Sequence, residues 1–380
     1  MRYISEHIEN DLKKKMVFLG GPRQVGKTTL TKQLIKKNGL YLNWDEDDDK
    51  KIILNKNWSD DKEYLVFDEL HKFPRWKNWI KGLYDTQTIK HKILVTGSAR
   101  LDLYKKGGDS LLGRYHYYRL HPFSLAEFPQ HFTPAEVLKK LMTHGGFPEP
   151  FLDGNETESR RWRKDRFDRI VKDDIRELEP IHEINNISLL IEQLKARVGT
   201  PIVVSNISRD LQVAPNTIKR WIDILEKMYL IFKVETYKDK ISRSIQKPFK
   251  VYFYDNADVA VTKDEGARFE NLVATHLIKM LHFLEDTQGY RCQLCFIRDK
   301  DEKEVDFCIV IENKVVELIE VKISDTTFSK NLVYYSNKLD PVRSTQIVLN
   351  TTEKFKKNKL TLINAAEDLT NLNRWKTDIL

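Results

Sequence analysis

Cysteine is scarce in this 380-residue sequence, and its three copies, Cys292, Cys295 and Cys308, cannot build a disulfide framework. A reducing compartment is therefore expected. Cys292-x-x-Cys295 has the spacing of half a zinc site, but no second Cys or His pair accompanies it, which argues against a structural zinc. No apolar run approaches the ~18 residues that a membrane span requires, so no membrane partner is expected. Met1 to Asn10 is polar and lacks the apolar core of a signal peptide, which makes the cytoplasm the expected location. Glycine and proline are also few, at 15 and 12 residues, as in an ordinary globular protein. The length suits two to four domains, each with a core. Positive charge is in excess: the formal net charge is +8 and the pI is near 9.0. That balance favours a polyanionic partner.

The chain is organised around Gly21-Pro22-Arg23-Gln24-Val25-Gly26-Lys27-Thr28, which matches G-x-x-x-x-G-K-[ST] at every fixed position. Met16 to Gly20 before it reads as a buried parallel strand, and Leu30, Leu34 and Ile35 after it recur at helical spacing. Strand, glycine loop and helix together make a phosphate site. Backbone N–H groups from Gly21 to Thr29 curl around the β- and γ-phosphates at the positive end of the helix. Lys27 is expected to neutralise phosphate charge, and the Thr28 hydroxyl to hold Mg2+.

Residues 1–121 alternate strands and helices, with further strands expected at Leu40–Asn43, Tyr64–Phe67, Lys92–Thr96 and Tyr115–Leu120. The acidic run Asp45 to Asp49 reads as solvated. Asp68 and Glu69 end the third strand. In that place Asp68 is expected to hold Mg2+ through water, and Glu69 to orient and polarise the attacking water. Thr96 or Ser98 could sense the γ-phosphate, although Ser98 reads equally well as a helix N-cap. Arg114 could reach a neighbouring subunit's nucleotide as an arginine finger, or could be an exposed surface arginine.

The loop, Leu42-Asn43-Trp44-Asp45, Phe67-Asp68-Glu69, Val95-Thr96-Gly97-Ser98 and Leu112-Gly113-Arg114 together resemble the AAA-type ATPases of bacteria and archaea that carry a C-terminal domain of unknown function. The resemblance covers most of the chain. It implies an additional-strand P-loop NTPase core of α/β class, ATP hydrolysis with Mg2+, and homo-oligomers with the nucleotide at a subunit interface.

From residue 122 to about 190 the apolar spacing turns helical, which suggests a lid interrupted by the loop Gly145 to Pro150. Glu158 to Glu179 mixes both charges and reads as a solvated helix with i,i+4 pairs; an arginine of this lid could touch ATP. Residues 191–254 have the layout of a winged helix-turn-helix: a helix at Val204–Leu211, a turn, a helix at Asn216–Met228, a strand and a basic loop. Asn216, Thr217, Lys219 and Arg220 open the second helix, where such motifs read the major groove. Lys238, Lys240 and Arg243 near the wing suit phosphates. Residues 200–250 hold ten Lys or Arg against five Asp or Glu, so +5 of the chain's +8 falls in 51 residues. DNA contact is expected, with docking to a protein partner as the other use of such a module.

In residues 255–360 a helix begins near Gly266 and contains Glu270. A hairpin then carries Asp306 and Glu320-Val321-Lys322. Alternation along a strand puts Glu320 and Lys322 on one face, with Asp306 on the adjacent strand. Two carboxylates and a lysine converging on a sheet suit Mg2+-dependent phosphodiester cleavage: the acids bind the ion and the lysine steers the nucleophile. With Glu270 on the preceding helix, the set resembles the PD-(D/E)XK restriction-endonuclease-like superfamily. That resemblance implies a metal site of Glu270, Asp306 and Glu320, with Asp306, Glu320 and Lys322 as the catalytic set. The alternatives are charges on an exposed hairpin face, or a nuclease fold that only binds DNA. Residues 361–380 read as an uninformative tail. The sequence thus points to an ATP-hydrolysing DNA-binding protein that remodels or cuts DNA, or to an ATP-switched module with an inactive nuclease-like fold.

Overall fold

The computed structural model describes residues 2–35, 38–86, 91–97, 111–128, 132–175, 183–237, 248–261 and 264–376. Ser98 and the wing residues Lys238, Lys240 and Arg243 lie outside the described residues. The chain forms two compact units, Met1–His121 and Pro122–Leu380. Among the described residues no helix is long and apolar enough to cross a membrane.

In the first unit, helix α1 (Ser5–Leu12) precedes β1 (Met16–Gly20) and α2 (Lys27–Leu34). Then come β2 (Gly39–Asn43), α3 (Asp47–Asn55), β3 (Tyr64–Asp68), α4 (Trp76–Thr86), β4 (Lys92–Thr96) and β5 (Tyr115–Arg119). The five strands are parallel, in the order β2-β3-β4-β1-β5. Every residue of β1 is buried, and so are all but the first of β3 and β4, whereas the outer β2 and β5 are mostly half-buried. This is the pattern expected when helices cover both faces of a parallel sheet. With β4 inserted between β1 and β3, the carboxyl ends of those three strands lie side by side, where open α/β sheets bind ligands. The acidic run is more than a solvated stretch. Glu46 caps α3 by accepting from the Asp48 and Asp49 amides at 2.9 and 3.1 Å, and Asp47 to Asp49 fill the first turn, where negative charge suits the helix dipole.

The second unit opens with α5 (Pro134–His144), α6 (Pro148–Asp153), α7 (Glu156–Arg169) and α8 (Ile184–Lys195). These helices and the segment before them belong with the C-terminal residues. The Leu125 amide donates to His276 Nε2 at 3.1 Å, and the Lys279 ammonium donates to the Pro122 carbonyl at 2.8 Å and pairs with Glu127. Helix α7 carries an i,i+4 surface pair, Arg160–Glu156 at 3.6 Å, and an i,i+3 pair, Arg161–Glu158 at 2.9 Å, but Arg166 departs from the solvated reading. It is buried, pairs with Asp258 at 3.1 Å and stacks on Phe147.

Helices α9 (Val204–Leu211) and α10 (Pro215–Lys227) meet at a tight turn closed by the Val213 amide on the Ser208 carbonyl at 3.0 Å. Helix α10 buries Ile218, Trp221, Ile222, Ile224 and Leu225 and leaves Asn216, Lys219 and Arg220 exposed. Strands β6 (Ile231–Thr236) and β7 (Phe249–Phe253) follow as an antiparallel pair. The long helix α11 (Glu265–Gln288) leads to β8 (Cys292–Arg298), β9 (Glu304–Ile311), β10 (Lys314–Lys322), α12 (Lys330–Leu339) and β11 (Arg343–Val348). The chain then adds β12 (Phe355–Lys357), β13 (Leu360–Asn364) and α13 (Ala365–Asp368).

All eight strands of this unit share one sheet, ordered β12-β13-β11-β10-β9-β8-β6-β7. Two expected domain limits therefore cross it. Strand β6 pairs with β8 at Glu235–Cys295 and Thr236–Phe296, which joins segments 191–254 and 255–360. Residues 361–376 are not a loose tail, because β13 pairs in parallel with β11 and Trp375 is fully buried.

Candidate functional site

The glycine loop follows directly from β1, and its backbone is specialised. Gly21 has φ 136°, and a Cβ there would lie 2.4 Å from the Leu120 carbonyl oxygen. Gly26 caps α2 with φ 96°, and Gln24 is left-handed at φ 61°. Pro22 and Val25 are buried, Arg23 is half-buried, and Gln24, Thr28 and Thr29 are exposed. The Lys27 side chain is buried and folds back on the loop, donating to the Gly21 and Pro22 carbonyls at 2.9 and 2.6 Å. These acceptors are ones that phosphate oxygens can replace. Because the loop has no room for a methyl group at Gly21, Gly21→Ala is expected to weaken nucleotide affinity by about tenfold or more. Titration with a fluorescent nucleotide checks this, and an unchanged affinity would contradict the tight packing against Leu120.

Asp68 ends β3 as the hub of the site. Its Oδ2 accepts from the Thr28 hydroxyl at 3.1 Å and from the Tyr41 hydroxyl, and its Oδ1 from the Thr96 hydroxyl and the Glu69 amide. Thr28 and Asp68 therefore offer one hydroxyl and one carboxylate side by side. That donor pair fits Mg2+, which keeps several of its waters and takes few protein ligands. When bound there, Mg2+ neutralises charge on the phosphates. Thr96 is fully buried and serves Asp68, and its carbonyl accepts from the Glu69 amide at 3.0 Å.

Glu69 stands just past the strand in a left-handed conformation, φ 56°. A non-glycine residue held there is a strain that folds tend to keep at working positions. Its Oε2 is 3.6 Å from both Lys72 Nζ and His71 Nε2 and makes no hydrogen bond among the described residues. Burial first, then the Asp68 charge, raise its pKa above the usual carboxylate range, against the pull of Lys72 and Lys27. A desolvated carboxylate with an open lone pair beside the phosphate loop can accept a proton from water.

Arg114 grips Asp85 of its own chain with both ends of its guanidinium, at 2.8 and 2.9 Å. Two contributors escaped the sequence reading. Tyr41 on β2 reaches Asp68, and Arg2 donates to the Val25 carbonyl at 2.9 Å and to the His121 carbonyl, bracing the loop from the start of the chain.

The second unit brings its expected residues together in a different arrangement. Asp306 Oδ2 accepts from the Val321 amide at 2.8 Å, so Asp306 lies beside Glu320 and Lys322, which pair at 2.9 Å. Glu320 Oε2 is buried without a hydrogen-bond partner. Glu270, in the first turns of α11, accepts from the Tyr252 hydroxyl at 2.5 Å. The sequence reading missed Lys250, whose ammonium lies 2.6 Å from Glu304, 3.2 Å from Glu270 and 4.0 Å from Asp306. Burial and then the Asp306 charge push Glu270 and Glu320 up to about 7, while Lys250 and Lys322 pull against them. Burial works against the charged form of Lys250, but Glu270, Asp306 and Glu304 together outweigh it and raise its pKa.

Among the described residues, no group of three or more His, Cys, Asp or Glu side chains is arranged to hold a metal ion. The expected metal set of Glu270, Asp306 and Glu320 does not fit a divalent ion as it stands, because an ammonium already lies within 4.0 Å of two of its members. Asn216, Thr217, Lys219 and Arg220, expected to contact DNA, occupy the start of α10, where Arg220 pairs with Glu183 at 3.2 Å.

Comparison with known proteins finds three family matches along the chain, the second and third of which fall within the second unit. Residues 13–129 match a family described as an AAA domain, and residues 135–261 and 265–367 match two domains of unknown function, DUF8612 and DUF4143. An uncharacterized protein of Haemophilus influenzae is 25% identical over 343 residues, 80% of this chain and 81% of the relative. One of Methanocaldococcus jannaschii is 26% identical over 337 residues, 72% of this chain and 70% of the relative. Among solved structures, Bacteroides Pif1 bound to ssDNA aligns with 39% of this chain at 16% identity and a TM-score of 0.20. A STAND ATPase with a tetratricopeptide repeat sensor from Pyrococcus horikoshii aligns with 75% at 13% identity and a TM-score of 0.21. This chain spans 47% of the length of each of those two structures. The AAA match over residues 13–129, laid over the loop, Asp68 and Glu69, supports an AAA-type ATPase domain.

Proposed function

We propose that the chain is an ATP-hydrolysing, DNA-binding protein. In this reading Lys27 and the loop amides bind the phosphates, and Thr28 and Asp68 hold Mg2+. Glu69 takes the proton from the attacking water. The observation that carries it is the meeting of Thr28, Asp68 and the open Glu69 carboxylate beside the glycine loop. Self-assembly belongs to the same reading, with Arg114 reaching a neighbour's nucleotide only by leaving Asp85. No cleavage step is assigned to Asp306, Glu320 and Lys322, whose surroundings do not fit a divalent ion.

The DNA half is supported by the helix-turn-helix of α9 and α10, its buried apolar stripe, and the exposed Asn216 and Lys219 at the start of α10. Phosphate-release assays with and without linear or branched DNA test it, run beside Asn216→Ala/Lys219→Ala. DNA is expected to accelerate the wild type. The double variant should bind DNA about tenfold more weakly at fixed salt while keeping its basal rate. Turnover insensitive to DNA, with no DNA binding by the wild type, would favour docking to a protein partner.

A further inference from the structure

We infer that Lys250 is the resident cation of the acidic cluster in the second unit, holding among Glu270, Glu304 and Asp306 the place that a divalent metal would otherwise take. Lys250 has no exposed surface, an uncommon state for a lysine unless it is paired. Alternation along β7 puts Lys250 and Tyr252 on one face, and both reach the same oxygen of Glu270, at 3.2 and 2.5 Å. The ammonium also lies over the Phe296 ring, 5.3 Å from its centre, so its stem is held as well as its charge.

Three of the neighbouring oxygens have protein donors of their own, while Glu320 Oε2 has none among the described residues. Arg298 takes Glu304 Oε2 at 2.7 Å, the Val321 amide takes Asp306 Oδ2 at 2.8 Å, and Lys322 takes Glu320 Oε1 at 2.9 Å. Space is narrow on one side as well. A Cβ on Gly199 would come within 3.0 Å of Glu270 Oε2, so backbone walls the carboxylate on that side and leaves little room for an ion that keeps its waters. Half-buried carboxylates gathered this closely need a counter-charge, and here a lysine of β7 supplies it. The inference is independent of ATP turnover.

Calorimetric titration of the nucleotide-free full chain with Mn2+ tests it, using wild type, Asp306→Asn, Lys250→Met and Lys250→Met/Asp306→Asn. Wild type and Asp306→Asn are expected to take up Mn2+ alike. Lys250→Met should gain one site that weakens by about tenfold or more when Asp306→Asn is added. Its thermal transition should rise with Mn2+, unlike that of the double variant. Wild-type Mn2+ binding that falls by about tenfold with Asp306→Asn would overturn the inference. A folded Lys250→Met chain without an Asp306-dependent site would overturn it too. If Lys250→Met fails to fold, the comparison of wild type with Asp306→Asn still decides whether the ammonium excludes the ion.

Discussion

Glu69→Gln is expected to lower kcat for ATP hydrolysis by roughly 10²–10⁴-fold while leaving nucleotide affinity near that of wild type. The substitution keeps the size of the side chain and the left-handed backbone, and removes only the ability to accept a proton. Lys27, Thr28 and Asp68, proposed to hold the phosphates and Mg2+, are untouched. Lys27→Ala should instead lose binding, because no other described side chain replaces the ammonium that sits on the Gly21 and Pro22 carbonyls. The raised pKa of Glu69 adds a second expectation. A base must be ionised to work, so the wild-type rate should fall with acidification beginning above the usual carboxylate range. Steady-state phosphate release across pH, with fluorescent-nucleotide titration of each variant, separates the two roles. A Glu69→Gln rate within threefold of wild type would remove Glu69 as the base.

The candidate nucleotide site was legible because its parts are local. Residues 16–28 contain strand, loop and helix start in one stretch, and Asp68-Glu69 follows an apolar run that only a buried strand explains. Tyr41 carries no such signal. Its value arises from the β2–β3 register, which pairs Asn43 with Asp68 and brings a half-buried tyrosine to the carboxylate. Lys250 misled for a related reason. Counted by composition it joins a basic segment suited to phosphates, but β7 turns it inward, and its partners come from α11 and β9 far along the chain. The hairpin of Asp306, Glu320 and Lys322 was readable from alternation alone, whereas the cation among the carboxylates was not. Similarly, Leu360 to Asn364 is too short and mixed to announce a strand, and becomes one by pairing with β11.

Arg374→Ala is expected to destabilise the second unit by about 3–5 kcal/mol. Glu317 is wholly buried at a bulge in β10 and depends on this arginine. Its Oε1 accepts from Arg374 Nη2 at 2.6 Å and Thr345 at 2.5 Å, and its Oε2 from Arg374 Nε at 2.8 Å and Trp375 Nε1 at 2.7 Å. Burial alone would raise the Glu317 pKa; Arg374 above all, helped by Arg343 and Thr345, outweighs it and holds the carboxyl at about 2. A folded pKa below the unfolded one gives stability that is complete above the unfolded value and is lost as pH falls from there towards 2. For the wild type that contribution is about 3 kcal/mol. Without Arg374 the sign should reverse, because burial then favours the protonated acid and mild acidification would stabilise the variant. Urea unfolding at pH 7 and pH 5 measures both the loss and the slope. Glu317→Gln/Arg374→Met should recover part of the stability, since it removes the Glu317 charge along with its partner and leaves only Asp368, which also pairs with Arg374, to be neutralised. A variant that loses stability yet keeps the wild-type slope would place the effect in packing of the 374–375 segment against the sheet, and not in the charge of Glu317.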